Sequence, residues 1–137
     1  MGRLKKGDDL LEALTKECAD GEIFLGEVRA IGAVSRARVG FYDQDFRQYR
    51  YITYEAPMEI LSLVGNISLK EGRPFVHAHI TLADKEGVAC GGHLAEGTVV
   101  FACEYVIQEY LSGERFERGF DEETGLFLWI AGEVLPP

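Results

Sequence analysis

The chain has 137 residues, of which 47% are hydrophobic, and it carries a formal net charge of −9. This length suits a single domain spanning residues 1–137, and the hydrophobic content excludes a disordered protein. No apolar run approaches the roughly 20 residues that cross a bilayer, and no apolar signal-peptide region follows the basic N-terminus. We therefore expect a cytoplasmic protein with no membrane partner, whose three cysteines, which form no Cys-x-x-Cys motif, stay reduced.

The negative charge also argues against direct binding to nucleic acids, because affinity for phosphate backbones comes largely from Lys and Arg. The charge is unevenly distributed, with acids concentrated at residues 8–27 and 114–123. Basic residues occupy the middle of the chain: Arg29, Arg36, Arg38, Arg47, Arg50 and Lys70. This distribution allows a local basic face but excludes a basic domain.

Residues 7–21 predict a helix near the N-terminus. Asp8 or Asp9 can cap its first turn, and Gly21 can end it. The apolar positions recur at helical spacing, as expected for a helix that packs one face on a core: Leu10, Leu11, Leu14 and Cys18.

After Gly21 the sequence consists of short segments rich in β-branched and aromatic residues, separated by Gly, Asp and Pro. We predict strands at residues 23–29, 33–42, 48–54, 60–68, 75–83, 88–90 and 98–110. Turn signals at 84–87 and 121–125 each join two apolar runs and indicate antiparallel hairpins. The predicted fold class is α+β, an antiparallel sheet of about six to eight strands with one or two flanking helices. A second helix at 57–61 or at 114–116 remains an alternative.

One helix of about four turns covers only part of such a sheet. The remaining apolar face and the sheet edges must be covered by something else. A homo-oligomer is the economical solution, because identical subunits can cover each other's faces in a closed assembly.

All three histidines fall within one short stretch, and they are the strongest chemical signal in the chain. His77 and His79 form His-Ala-His inside an apolar run, and His93 closes Gly91-Gly92-His93. Side chains two residues apart on a strand point to the same face, and a neighbouring strand can add a third imidazole. Three imidazoles can hold Zn²⁺ with one coordination position open. Zn²⁺ is therefore the expected cofactor, although another divalent metal fits too, and the competing interpretation is ordinary core or interface histidines bonded to backbone carbonyls.

Two carboxylates are candidates for the surroundings of this site. Glu59 and Glu104 lie in strongly apolar segments, where a buried carboxylate needs a partner. Each could accept a hydrogen bond from a ligand histidine or shuttle a proton. The alternatives are an ion pair with a central arginine or exposure on an outer strand face.

The residues around His93 also invite structural expectations. Strand alternation puts Cys90 on the face opposite His93, so we expect it to pack rather than to bind metal. Gly91 and Gly92, which lack Cβ atoms, permit close approach by a strand, a ligand or another subunit. Three polar residues in the segment 60–68 are expected to be structural: Ser62, Asn66 and Ser68.

Several segments together resemble the plants-and-prokaryotes-conserved (PPC) domain family, over about residues 7–130. They read, in order, GDDLLEAL, EILSLVGNIS, GRPFVHAHITLAD, GVACGGHLAEGTVV and ERGFDEETGL. The resemblance implies a compact domain built on an antiparallel sheet and assembled as a homotrimer. In land plants this domain follows AT-hook motifs that bind A·T-rich DNA, and there it mediates assembly and partner contacts.

The chain departs from this family pattern at two places. Gly72-Arg73-Pro74 echoes the core of an AT-hook, but Glu71 precedes it and an apolar run follows, so we interpret it as a turn into a strand. Such chains commonly have a strand before the first helix, but only residues 1–6 precede it here. That strand is expected to be shortened or missing, which leaves a sheet edge less protected.

The sequence therefore predicts a metal-binding homotrimeric PPC domain, with His77, His79 and His93 as ligands and an open position for a small molecule. The alternative is a non-enzymatic DNA-associated or regulatory assembly module that acts through protein–protein contacts. A zinc ion that only stabilises the trimer is a third interpretation. Whether the protein is an enzyme stays open at this level.

Overall fold

The computed structural model describes residues 1–112 and 114–130. Within them the chain forms one helix and nine strands. In order these are β1 Gly2–Leu4, α1 Leu10–Asp20, β2 Gly26–Asp43, β3 Gln48–Tyr54, β4 Met58–Lys70, β5 Arg73–Ala83, β6 Ala89–Leu94, β7 Val99–Glu109, β8 Arg118–Asp121 and β9 Leu126–Trp129. No helix in these ranges is long and apolar enough to cross a membrane.

Helix α1 begins and ends close to the predicted positions. Its N-cap is Asp9, whose Oδ1 accepts hydrogen bonds from the backbone N–H groups of Leu11 and Glu12 at 3.0 and 3.1 Å. The other oxygen, Oδ2, accepts from the N–H of Gly97 at 2.6 Å. One carboxylate therefore caps the helix and also fastens it to the turn before β7.

Strand β2 organises the whole sheet. The sequence predicted two strands here, but β2 is one strand of 18 residues. Its register shifts between Ala30 and Gly32, and Gly32 has φ 140°. A Cβ at this glycine would lie 2.2 Å from the carbonyl oxygen of Ala102. Glycine thus lets the strand bend without interrupting its pairing. The sequence prediction took this glycine as the end of one strand and the start of the next, but the strand only changes direction there.

The strands pair in the order β1-β7-β2-β4-β5-β6, and β3 pairs with β2 as well. All of these pairings are antiparallel. The far end of β2 also pairs with β6, so β2, β4, β5 and β6 close on themselves. The predicted antiparallel sheet with one helix is confirmed, with seven strands in the sheet and β8–β9 as a separate hairpin.

The core lies between α1 and the inner face of the sheet. Leu10, Leu14 and Cys18 of the helix are fully buried, together with Ile80 and Leu82 of β5 and the rest of one contiguous cluster. Residues between the buried ones point to the outer face, because side chains alternate along a strand. The sheet therefore presents a hydrophobic inner face and a separate outer face.

The structure also defines the two alternative helix positions, the N-terminal strand and the Gly72-Arg73-Pro74 triplet. No second helix forms at 57–61, because β4 begins at Met58, and none forms at 114–116. The strand before the helix is shortened but present as β1, which pairs with β7. Glu71 and Gly72 have φ 54° and 71°, and β5 starts at the next residue. Gly72-Arg73-Pro74 is thus a turn into a strand, as predicted.

Candidate metal centre

Two neighbouring strands bring the three histidines together on the outer face of the sheet. His77 and His79 lie on β5, and His93 lies on β6 directly opposite His79 in the register. The residues that alternate with them, Ala78 and Ile80, are buried in the core. The period-two alternation of the strand thus sends imidazoles outward and apolar side chains inward.

The three imidazole rings form a close triangle. Their centroids lie 5.4 Å apart for His77 and His79, 5.0 Å for His77 and His93, and 5.5 Å for His79 and His93. One nitrogen from each ring lies within 4.8 Å of the other two. Tetrahedral zinc, with bonds of about 2.0–2.1 Å, needs ligand atoms roughly 3.3 Å apart. Small side-chain rotations would therefore bring this triad to coordination distance, so the triad can hold a metal ion.

Glycine lets β6 approach its neighbours closely enough to place His93. A Cβ at Gly92 would lie 2.7 Å from the carbonyl oxygen of Gly40 on β2, and one at Gly91 would lie 2.2 Å from that of Ile80 on β5. Two strands of the same chain therefore account for the close approach at these glycines. No second subunit is needed to explain them.

The electrostatic environment keeps two of the imidazoles neutral. Burial, the neighbouring His93 and the Arg118 guanidinium lower the pKa of His77 to about 4. Burial, His79 and Arg118 lower the pKa of His93 to about 4 as well. A neutral imidazole is the form that binds metal. At neutral pH each of these two rings therefore has an unprotonated nitrogen available to a metal ion.

The Nδ1 atom of His93 is the one buried side-chain nitrogen or oxygen that lacks a hydrogen-bond partner in the described residues. Buried polar atoms are nearly always paired, because leaving one unpaired costs about 1–3 kcal/mol. No backbone carbonyl in the described residues accepts a hydrogen bond from this atom, so the competing interpretation does not account for it. The observation favours a ligand role over the competing structural interpretation.

Arg118 lies beside the triad, although the sequence analysis did not single it out. It is only 8% exposed. Its Nε donates to Ser68 Oγ at 2.9 Å, its Nη2 to Asn66 Oδ1 at 2.7 Å, and its Nη1 to the carbonyl oxygen of Phe127 at 3.1 Å. Asn66 is the cross-strand partner of His77, so this network holds a positive charge next to the histidines.

The sequence contained one signal that pointed toward Arg118. Asn66 and Ser68 stand two residues apart on β4 and share a face, so two neighbouring polar groups in an apolar strand each needed a hydrogen-bond partner. Their predicted structural role is consistent with the hydrogen bonds that they accept from Arg118. The partner itself could not be located, because it lies 50 and 52 residues further along the chain.

Within one chain, the structure does not bring Glu59 or Glu104 to the histidines. Both side chains are exposed. Glu59 pairs with Ala83, four residues beyond His79 or about 13 Å along the strand. Glu104 lies on β7, three strand spacings or about 14 Å from β5. Both carboxylates are therefore exposed on the outer face, which was one of the alternatives. Within a single chain neither of them lies close enough to the histidines to act beside a metal ion.

Cys90 follows its prediction. It is half-buried and packs against the core cluster, on the side of β6 away from the triad. The group of potential ligands in the described ranges contains the three histidines and no thiol. The site is therefore an all-imidazole site.

Two cavities border the triad. One, of about 330 Å³, is lined by His77 and His93 together with Arg118 and the β8–β9 hairpin. The other, of about 600 Å³, is lined by His77 and His79 together with aromatic residues that include Trp129. Space for a small molecule is therefore present on both sides of His77.

These features describe a small antiparallel β domain with a histidine triad on the outer face of its sheet. The sequence matches the profile of the Plants and Prokaryotes Conserved (PCC) domain over residues 1–111. The chain belongs to this family. The resemblance inferred from the histidine motifs is thereby confirmed.

Solved structures agree with this assignment. The chain is similar to a metal-containing protein from Archaeoglobus fulgidus, with 44% identity, a TM-score of 0.88 and coverage of 94% of this chain and 90% of that one. It is also similar to a plant- and prokaryote-conserved (PPC) protein from Pyrococcus horikoshii, with 36% identity, a TM-score of 0.89 and coverage of 96% and 90%. A proposed DNA-binding protein from Bacteroides thetaiotaomicron shares 28% identity, with a TM-score of 0.86 and coverage of 93% and 88%.

Among curated proteins, the chain is similar to the bifunctional protein GlmU of Synechococcus sp. (strain JA-3-3Ab), with 31% identity over 139 aligned positions. The alignment covers 98% of this chain but 21% of that protein. The chain thus spans about one fifth of the length of this relative.

Proposed function

We propose that this protein is a metal-binding PPC domain in which His77, His79 and His93 hold one divalent cation, with Zn²⁺ as the preferred metal. The single observation that carries the proposal is the triangle of imidazole nitrogens within 4.8 Å of one another. The unpaired Nδ1 of His93 supports it, and so does the 44% identical Archaeoglobus relative, which is described as metal-containing.

Zinc on three imidazoles would keep an open position, where a bound water or a small molecule could be polarised. The chain's own contribution is to lower the pKa of His77 and His93 and to place the Arg118 charge beside them. Glu27 lines the larger cavity together with His77 and His79, but its carboxylate accepts a hydrogen bond from Arg29 at 2.8 Å. The group of potential metal ligands in the described residues contains no carboxylate. We therefore propose binding of a small molecule at the metal and leave a catalytic step out of the proposal.

Elemental analysis of the purified protein tests the metal site. We expect about one metal ion per chain in the wild type and almost none in His79→Ala. The matched control is Thr81→Ala, because Thr81 lies two residues further along β5 on the same face and contributes no ligand atom. Equal, near-zero metal in all three proteins would refute the proposal.

We further propose a homotrimer with the histidine site near a subunit boundary. The outer face carries large apolar side chains that solvent reaches: Ile31 57%, Leu61 52%, Val64 54%, Phe101 52% and Val106 46% exposed. Monomeric proteins rarely expose a contiguous apolar patch of this kind. Val64 is the cross-strand neighbour of His79, so the apolar face reaches the edge of the triad. The number three comes from the family resemblance.

Light scattering at about 10 µM protein, with and without a chelator, tests the assembly. We expect a trimeric mass for the wild type, a smaller mass for Ile31→Glu, and a shift toward smaller species when metal is removed. Ile52→Glu is the control. Ile52 is similarly exposed, but its cross-strand partner Val39 faces the core, and directly paired residues lie on the same face of a sheet. Ile52 therefore does not belong to the outer face. A monomeric wild type would refute the trimer, and a trimer that ignores the chelator would refute its link to the metal.

The second candidate function is a DNA-associated or regulatory module that acts through protein contacts in the cytoplasm. It is favoured by the similarity to a proposed DNA-binding protein and opposed by the net charge of −9. A gel-shift assay at about 150 mM salt separates direct from indirect association. We expect no nanomolar binding to duplex DNA by this chain alone.

A further inference from the structure

The smaller cavity beside the triad contains positive charge that has no acidic partner. Arg118 is 8% exposed, and its three hydrogen bonds in the described residues all go to uncharged acceptors. It takes part in none of the ion pairs in this part of the structure. A buried charge is costly unless an opposite charge or several hydrogen bonds compensate it. Two of the five guanidinium N–H groups remain for a further acceptor.

Lys70 brings a second cation to the same cavity. Its ammonium lies 4.3 Å from the ring centroid of Phe127 and 5.6 Å from that of Phe75, and no ion pair holds it in the described ranges. Arg118 also lies over Phe75, at 5.3 Å. Two cations therefore contact the same aromatic ring, and no carboxylate in the described ranges lines this cavity.

A third cation, Arg47, also lines the cavity. Arg47 donates to the backbone carbonyl oxygens of Glu122 and Glu123, at 3.2 and 3.1 Å. These bonds attach the β2–β3 turn to the β8–β9 turn and hold the guanidinium in place. The Asp121 carboxylate lies near Arg47 and interacts with its charge, so Arg118 and Lys70 are the two cations that carry the argument. The lining itself contains three cations and no carboxylate in the described residues.

The rest of the lining is flat and apolar. Tyr42, Tyr49, Phe75 and Phe127 line the cavity together with the cations, and Tyr49 packs 5.0 Å from the His93 ring. The volume of about 330 Å³ is at the lower end of small-molecule sites. His77 and His93 belong to the same lining, so a ligand there would lie next to any metal on the triad.

We propose that this cavity binds a small molecule that carries an oxyanion, a phosphate or a carboxylate, on a flat apolar body. Guanidinium and ammonium groups recognise the oxyanion by charge-assisted hydrogen bonds, and the aromatic rings pack against the body. A contact between the oxyanion and the metal rests on the proposed function. The contacts of the oxyanion with Arg118 and Lys70 do not require a metal.

Calorimetric titration of the zinc-loaded protein tests this inference, after elemental analysis has established the metal content. The probes are phenyl phosphate, benzoate and benzyl alcohol, which share a ring and differ in the charged group. We expect saturable binding of at least one anion, much weaker binding of the neutral alcohol, and weakening at high salt. The anion that binds more tightly identifies the head group. No saturable binding of either anion at several millimolar, or equal binding of benzyl alcohol, would overturn the inference.

Two charge-neutralising variants locate the site. Lys70→Gln is expected to weaken anion binding roughly tenfold, the usual effect of losing one charge-assisted hydrogen bond. Lys85→Gln removes the same charge from an exposed turn outside the cavity and is expected to change binding less than twofold. Equal weakening by both variants would mean that only overall charge matters and would contradict the proposed location.

His79→Ala separates this inference from the proposed function, because His79 belongs to the triad but does not line the cavity. Loss of metal together with weaker anion binding would support direct contact between the oxyanion and the metal. Loss of metal with unchanged anion binding would overturn that contact. If the wild type holds no metal, the proposed function fails, and titration of the metal-free protein still tests the cavity of Arg118 and Lys70.

Discussion

Strand β5 carries two kinds of side chain in alternation. Val76, Ala78 and Ile80 point inward and are no more than 2% exposed, while His77 and His79 point outward. The inner positions require volume and hydrophobicity, because they fill a close-packed core. The outer positions require particular functional groups at fixed spacing. Adjacent residues on one strand therefore serve stability and chemistry separately, and substitutions at them should separate these properties.

The largest expected effect is on the inner face. Ile80→Ala should lower the free energy of unfolding by about 2–5 kcal/mol, because it leaves a cavity in the core. His79→Ala should change the stability of the metal-free protein by less than about 0.5 kcal/mol, because the side chain is exposed. Chemical denaturation with a chelator, at one protein concentration, measures both. A loss in His79→Ala as large as that in Ile80→Ala would contradict the division between the faces.

The second effect belongs to the outer face and depends on metal. Free zinc at about 100 times its dissociation constant should raise the free energy of unfolding by about 2.7 kcal/mol, since it binds the folded state. We expect this gain in the wild type and in Thr81→Ala, and its absence in His79→Ala. Denaturation curves with and without zinc give the difference. A gain that persists in His79→Ala would place the metal elsewhere.

The smallest expected effect is a difference in reactivity among the three cysteines, and measuring it perturbs the fold least. Burial raises the pKa of Cys18 and of Cys103 to about 11, whereas Cys90 is half-buried at the end of the core. Iodoacetamide at pH 8 should therefore modify Cys90 first in the native protein, and all three thiols in denaturant. Mass spectrometry of peptides assigns the order. Early modification of Cys18 or Cys103 would show that the inner face opens readily.

The comparison between the faces also explains what the sequence could predict. The spacing of His77, His79 and His93 was sufficient, because alternation is a property of any strand and one hairpin turn joins β5 to β6. The helix was predictable from its cap and apolar stripe. These signals are local in the sequence, so they can be recognised without knowledge of the tertiary fold.

Features that depend on distant contacts were not predictable. Arg118 reaches Asn66 and Ser68 from a hairpin that comes 50 or more residues later. Glu59 has buried neighbours at Met58 and Ile60, and this suggested burial for Glu59 too. Alternation along the strand turns it outward instead, and this is a local signal that does not depend on a distant contact. Similarly, the bulge at Gly32 joins two predicted strands into β2, because glycine there is a bend rather than an end.

The pairing of β2 with β6 has a consequence for how the protein folds. Gly40 pairs with His93, and His93 pairs with His79, so the three histidines share one hairpin that is held on its other side by a distant part of the chain. The β5–β6 hairpin is local and can form early, but closure through β2 must overcome the entropy of a long loop. Because all three histidines lie on this hairpin, we expect the hairpin to bind metal before the closure. Zinc added during refolding would then report the formation of the β5–β6 hairpin and not the last strand pairing in the sheet.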